Sequence, residues 1–480
     1  MNVLSRQRVQ SDDELNETNS LELRQVRVSL SSSKEDGPDR NSGRTIDEQL
    51  DVYQSYYEMN ARTLGIDHPS TLASLHELAL LYHKLGQFAK ASEELDTCYQ
   101  KQVAKLGADD IQTLDTLNDR GLNLIALGRR EEGLKLLLDC MERRKKVLGE
   151  SHADSLSSMT NLALYYMDCD LYEDALGYLT DFFDTIADPV CDQEHNEKLY
   201  PLRVINWMRL ATVYLKLEKY ALAEAAYLQV YQFSRSVYGT DHSETQRIRE
   251  ALGHFYALIK NFEKAEEYFL GCLEHYTKQR ARGHPEAVAV MGALGKLYFQ
   301  QQLYGEADPL LGECWEQRRR ENSQSQAALE SLRDLALNRK MQGKVDEAVP
   351  LFVTLLEGLR VVYGARHAET LLCMTELAIL YRFQHQYERA LPLYEECLAS
   401  TTQLYGPAHG KTLLCMNNLA NLYSDMKRFK EAEALYLSCV EHSTAEHGTA
   451  VHPKVLQYRN NLALLYIDQG DARRGCEMLQ

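Results

Sequence analysis

The chain has 480 residues, 44% of them apolar, and a formal net charge of −17. That length exceeds what one hydrophobic core usually serves; the apolar share excludes general disorder, and the negative balance excludes a nucleic-acid surface carried by the chain as a whole. No stretch approaches the roughly 20 apolar residues that span a bilayer, the start Met1-Asn2-Val3-Leu4-Ser5-Arg6-Gln7-Arg8 lacks the apolar run of a secretory signal, and 11 cysteines without such a signal read as a cytoplasmic protein in a reducing compartment.

Residues 1–44 are rich in Ser, Asp, Glu and Arg. They are expected to form a disordered arm whose deletion leaves the thermal melt almost unchanged, because too few apolar side chains are present to offset the entropy of ordering.

From about residue 45 the sequence repeats. The string Gly86-Gln87-Phe88-Ala89-Lys90-Ala91 ends on a small residue with equivalents at Gly133, Ala175, Ala223, Ala265, Ala307, Ala348, Ala390 and Ala432. The spacing is 42 throughout, apart from 48 between Ala175 and Ala223 and 41 between Ala307 and Ala348. A second marker lies 13 residues earlier: Leu78-Ala79, Leu162-Ala163, Leu210-Ala211, Leu377-Ala378 and Leu419-Ala420 among others. A tyrosine follows, as at Tyr82, Tyr166, Tyr214, Tyr381 and Tyr423. Leu and Tyr at i and i+4 share one helical face, and the small residue between them admits a neighbouring helix.

Ten helix pairs follow from this phase. Their first helices are predicted near 69–85, 111–127, 153–169, 201–217 and 244–259, and then from about 284, 325, 367, 409 and 452. Turn residues Gly86, Gly128, Gly343 and Gly470 separate the two helices of a pair. The six extra residues before the fourth pair, near 186–198 with Pro189, predict a loop. The tenth pair ends at Gln480 with part of a second helix, which reads as a short terminal helix or a truncated product.

The links between pairs carry a signature of their own: Leu64-Gly65-Ile66-Asp67-His68-Pro69, Tyr363-Gly364-Ala365-Arg366-His367 and Tyr405-Gly406-Pro407-Ala408-His409. Glycine there suits a left-handed helix cap, and Pro69, Pro285 and Pro453 suit the start of the next helix.

The Leu-small-x2-Tyr and Ala-x3-aromatic pattern resembles the tetratricopeptide repeat (TPR). The 42-residue period, the Gly-x-x-His links, and Asn417-Asn418-Leu419-Ala420-Asn421-Leu422-Tyr423 and Asn460-Asn461-Leu462-Ala463-Leu464-Leu465-Tyr466 resemble the kinesin light chain and nephrocystin type of that repeat. The resemblance covers about residues 45–480 and implies an all-α, right-handed superhelical solenoid that binds proteins along a concave groove. It stops at the repeats: residues 1–44 hold no heptads of the kind a kinesin light chain uses for its heavy chain, and no G-x-x-x-x-G-K-[ST] string is present.

Cys98, Cys140, Cys272, Cys314, Cys397 and Cys439 all fall seven residues after the small-residue marker. A fixed phase and the absence of any C-x-x-C pair point to buried packing and away from a metal site. His68, His152, His242, His284, His367, His409 and His452 occupy the links, where an imidazole can hydrogen-bond a turn. No catalytic motif, metal set or cofactor motif emerges, so the chain reads as a non-enzyme without cofactor.

Counting the Leu of Leu-Ala as position 7, positions 2, 5, 6, 9, 12 and 13 of each first helix are expected to face the groove. In repeats one to three, Lys84 stands against Glu77, Asp115, Asp119 and Asp168. In repeats four to eight, Arg209, Lys216, Arg247, Lys296, Arg333, Lys340 and Arg382 outnumber Glu250, Glu330, Asp334 and Glu376. A net basic centre would attract an acidic peptide; the same charges also fit the scatter of any solvated helix face. Asn417, Asn421 and Asn460 are candidates to pair with a peptide backbone, as asparagines do in the family. Asn161, Asn418 and Asn461 at position 6 are better placed to bridge neighbouring repeats.

The leading expectation is a scaffold or adaptor that holds extended peptide segments of other proteins, acidic ones included, in the groove. The alternative is a regulatory or sensor array acting on an enzyme or motor supplied by a partner, such as a kinesin light chain-like cargo adaptor.

Overall fold

The computed structural model describes residues 46–187, 196–280, 283–447 and 452–479. The expected arm at 1–44 lies outside them, as does the 188–195 part of the loop expected near 186–198; the ends of that span, 186–187 and 196–198, belong to helices. The described residues form 21 α-helices and no strand.

The helices are α1 (Ile46–Thr63), α2 (Pro69–Lys84), α3 (Phe88–Leu106), α4 (Ile111–Ala126), α5 (Arg130–Leu148), α6 (Ala153–Asp168), α7 (Tyr172–Ala187), α8 (Asn196–Lys216), α9 (Tyr220–Val237) and α10 (Ser243–Leu258). They continue as α11 (Phe262–Arg280), α12 (Pro285–Gln300), α13 (Tyr304–Asn322), α14 (Gln326–Met341), α15 (Val345–Val362), α16 (Ala368–Phe383), α17 (Tyr387–Tyr405), α18 (Gly410–Asp425), α19 (Phe429–His447), α20 (Pro453–Asp468) and α21 (Ala472–Leu479). The chain divides into two compact units at Ile248/Arg249, and each is a run of consecutively packed helix pairs.

The predicted first helices are those seen, with two adjustments. The fourth begins at Asn196, five residues before the expected start, and takes Pro201 inside it. Ahead of repeat one stands α1, a helix outside the ten predicted pairs, because no Leu-small-x2-Tyr string precedes it in the sequence. It fills the place of a second helix: Asn60 donates to the Ser74 hydroxyl at 3.4 Å, and Tyr57 packs on Leu72, Leu75 and Cys98.

Three local devices repeat with the sequence. Inside each pair, the backbone N–H beyond the turn donates to the carbonyl five residues back, as Gln87 to Tyr82, Lys219 to Tyr214 and Arg428 to Tyr423, which closes the first helix with a Schellman turn. Its left-handed residue is Gly at 86, 128, 343 and 470, but Asp170, Glu218, Lys260, Gln302, His385 and Lys427 elsewhere.

At the links, Gly107, Gly149 and Gly406 sit at φ +88 to +98° with ψ near 160°. That is not the left-handed helical cap expected but the mirror-extended region that glycine alone enters readily.

The link histidines then cap the next helix. Nδ1 of His68, His152, His242, His367, His409 and His452 accepts the backbone N–H two residues on, at 3.2–3.4 Å. Tyr238, Tyr363 and Tyr405 stack on His242, His367 and His409 at 4.6–4.8 Å. Thr71, Thr245, Thr370 and Thr412 return a hydroxyl to the link glycine's carbonyl at 2.8 Å.

The core runs between the helices as Leu, Ala, Cys and aromatic side chains, with Ala91, Cys98, Ala163, Tyr227, Phe269 and Tyr394 at or near zero exposure. The phased cysteines are packing residues: Cys98, Cys140 and Cys439 point Sγ at the carbonyls of Leu72, Leu114 and Leu413, each 26 residues earlier, at 3.2–3.5 Å. Burial pushes the thiols of Cys98 and Cys439 up to about 12, far from reactive thiolate chemistry.

The first-helix face as a candidate binding site

The candidate groove residues sit on first helices, and at four junctions position 6 of one helix reaches position 5 of the preceding repeat, although Asn418, also at position 6, makes no such bond. His76 Nε2 lies 2.8 Å from Asp119. Asn161 donates to Asn118 at 3.1 Å, Arg209 to the carbonyl of Thr160 at 2.7 Å, and Asn461 to Asn417 at 2.8 Å. The bridging role expected of position-6 asparagines therefore holds for Asn161 and Asn461, and it extends to their position-5 partners.

Within residues 249–480 the cations follow a related rule. Each reaches a carboxylate on the first helix of the next repeat: Lys296 to Asp334 at 3.3 Å, Arg333 to Glu369 at 2.8 Å, Lys340 to Glu376, and Arg382 to Asp425 at 2.5 Å. These pairs form rungs between consecutive helices.

The candidates thus fall into three groups. Arg209, Lys340 and Asn417 are buried. This corrects the expectation that they face solvent; burial pulls the Arg209 guanidinium below its usual range. Lys296, Arg333 and Arg382 are partly exposed and already ion-paired, while Asn421 accepts the hydroxyl of Tyr436 at 2.5 Å. Lys216, Arg247 and Asn460 are exposed, with Arg247 beside Glu244 at 2.7 Å.

In residues 1–248 the acidic excess is likewise met from neighbouring helices. Asp115 pairs with the buried Arg144 of α5, and that guanidinium also donates to Ser158 of the next repeat at 3.0 Å. Burial raises the Asp115 carboxyl even with Arg144 beside it. For His76, burial works against the imidazolium, but the hydrogen bond and charge of Asp119 outweigh it and the value rises. His254 shows the opposite balance. Packed edge-on to Phe269 at 5.0 Å, it is pulled down to about 4 by burial, with Lys296 adding to the effect.

Sequence reading passed over the apolar side chains of the same face. Met341 and Phe383 both stand at position 13, 36% and 47% exposed, and Leu372 at position 2 is 42% exposed. Their signal was apolar character at positions the repeat does not need for packing.

Two family models, both of the tetratricopeptide repeat, match this chain, one over residues 244–320, 326–403 and 384–445 and the other over 71–112, 113–154 and 208–244. Together they span about two thirds of the sequence. The chain belongs to the tetratricopeptide repeat family.

TPR structures similar to it include the nearly identical TPR-like repeats of a proposed kinesin light chain from Podosopora anserina, 25% identical over 41% of this chain and 93% of that one, with a TM-score of 0.38. BtubC (BKLC) from P. vanneervenii is 18% identical over 46% of this chain and 86% of that one, TM-score 0.38. The apo form of the quorum sensor NprR from B. thuringiensis is 13% identical over 76% of this chain and 97% of that one, TM-score 0.47. No curated protein matches. TPR arrays generally mediate protein–protein interactions, and no helix among the described residues of this TPR protein is long and apolar enough to cross a membrane.

Proposed function

We propose that the chain is an interaction scaffold that holds an extended segment of a partner protein along the first-helix face of residues 249–480. The observation that carries this reading is the apolar set Met341, Leu372 and Phe383, exposed on the same helices whose charged positions are paired off. Such side chains supply the anchoring area of a peptide site, and polar neighbours set register.

The rungs also refine the expected ligand chemistry. A purely acidic peptide would compete with Glu369, Glu376 and Asp425 for cations that already have partners. The supported ligand is therefore a peptide with apolar anchor residues, its acidic residues reaching the partly exposed Arg333 and Arg382. The reading assigns no reaction to the chain.

The test is to pan a random peptide-phage library on the full-length chain and on a Leu372→Glu/Phe383→Glu variant. Peptides that are enriched on the wild type, are rich in apolar residues and fail to bind the variant support the proposal. Enrichment that is indifferent to the double variant would place binding elsewhere and overturn it.

A further inference from the structure

The second-helix cysteines face a recurring partner. Cys98, Cys140 and Cys314 each meet a hydroxyl at position 3 of the next first helix, namely Thr116, Ser158 and Ser331, the last at 3.4 Å. At the junction of repeats eight and nine the register is kept but the chemistry changes. Position 3 there is Cys415, and its sulfur lies 3.1 Å from Cys397 Sγ. Both thiols are buried, at 1% and 5% exposure. A third group, the Thr375 hydroxyl, lies 3.3 Å from Cys397 Sγ.

We propose that Cys397 and Cys415 form an oxidisable dithiol that closes to a disulfide across this junction, tying α17 to α18. Two sulfurs packed against each other on separate helices need little side-chain movement to bond, whereas a cysteine facing Ser or Thr has no such partner. The hydrogen bond from Cys415 also favours the thiolate of Cys397 and holds that thiol below its usual value. Cys397 is taken as the attacking sulfur, and the balance is the same when the two sulfurs exchange roles.

With a peroxide as oxidant, the Cys397 thiolate attacks one peroxide oxygen. The S–O bond forms, the O–O bond breaks, and hydroxide leaves to take up the proton that Cys397 released. Cys415 then attacks the Cys397 sulfenic sulfur; the S–S bond forms, the S–O bond breaks, and the departing hydroxide takes the Cys415 proton. Two thiols and one hydrogen peroxide give one disulfide and two waters, the sulfurs supplying two electrons. Local opening of the junction admits the small oxidant, and a dithiol reductant reverses the bond. The bond would restrain the junction that the Arg382–Asp425 rung also crosses.

The experiment uses the full chain carrying Cys476→Ser, which removes an exposed thiol. It is treated with stoichiometric hydrogen peroxide, blocked with N-ethylmaleimide under denaturing conditions, digested without reduction and read by mass spectrometry. The expected result is a linked Cys397–Cys415 peptide, loss of two alkylatable thiols, and recovery of both with dithiothreitol. Adding Cys415→Ser, which installs the hydroxyl found at position 331, should abolish the linked peptide while leaving the reduced protein's melting temperature within a few degrees. Recovery of both cysteines as maleimide adducts, their separate oxidation to sulfinic acids, or indiscriminate linkage to other cysteines would overturn the proposal.

Discussion

The guanidinium of Arg333 donates to the carboxylate of Glu369, one repeat along, at 2.8 Å. With Lys340–Glu376 and Arg382–Asp425 it makes three rungs across two junctions. If these cations stood free in the groove, as the position count of the first helices implies, an Arg333→Glu, Lys340→Glu, Arg382→Glu variant would keep its fold. The rungs reverse that expectation, because the triple change would set carboxylate against carboxylate. The half-exposed pairs are worth about 1 kcal/mol or less each, but breaking the buried Lys340 pair costs about 3–5 kcal/mol. The triple variant should unfold at clearly lower denaturant, and Lys340→Glu should be rescued by Glu376→Lys. An unchanged midpoint in the triple variant would show that the rungs do not stabilise the fold.

Repeat two replaces the usual pair of alanines with Gly121 and Gly133. A Cβ at Gly133 would lie 2.6 Å from the backbone oxygen of Gly121, which cannot swing aside. Gly133→Ala should therefore destabilise by about 1–3 kcal/mol, the usual cost of overpacking. At Gly177, inside α7, a Cβ meets nothing within 4 Å, so Gly177→Ala should stabilise by about 0.5–1 kcal/mol through helix propensity alone. Thermal melts of the two variants should shift in opposite directions.

His409 caps α18 through Nδ1, 3.2 Å from the backbone nitrogen of Lys411. His409→Ala should cost about 1 kcal/mol, as loss of a side-chain cap does, and His409→Asn should recover most of it. Faster amide exchange over residues 410–414 in the alanine variant alone would locate the effect. Equal exchange in both variants would assign the histidine's value to its Tyr405 stack.

His254 and His76 should respond oppositely to pH. His254 has a folded value of about 4 against an unfolded value near 6.5, so between those values only the unfolded chain binds the proton, and stability falls as pH falls. The full effect is up to about 3 kcal/mol. His76 is raised, so its contribution is complete below about 6.5 and is lost as pH climbs through its folded value. Leucine already stands at the equivalent of position 254 in several repeats, at Leu80, Leu122 and Leu164. Relative to His254→Leu, the wild type should lose stability from pH 7 to 4.5. Relative to His76→Gln, it should gain from pH 8 to 5.5. Parallel curves in either comparison would refute that sign.

Helix phase was legible because it is a local property. Leu78, Ala79 and Tyr82 fix one face, and the same spacing recurs where the same face must pack. The pairing of charges was not. Arg333 and Glu369 are 36 residues apart, Arg382 and Asp425 are 43 apart, and a tally of charges per helix cannot see a partner on the next one. A clue was available in the position-6 asparagines: a residue that bridges to the previous repeat needs a receiver there, and the receivers are position-5 residues such as Asn417 and Thr160. Helix α1 escaped because no Leu-small-x2-Tyr string precedes it in the sequence, so the marker that identifies a pair is missing.

The link glycines and histidines have a genetic consequence. Several junctions close with the same few residues, those before α16 and α18 among them, so removing residues 365–406 would rejoin Gly364 to Pro407-Ala408-His409, a link of familiar composition. Backbone geometry alone would accept the loss or duplication of a whole 42-residue cassette. The rungs would not. After that excision Arg333 would face Lys411 where Glu369 had been, and Lys340 would face Asn418 where Glu376 had been. The interchangeable junctions make such shuffling easy to try, and the side chains between the first helices decide which order of cassettes survives.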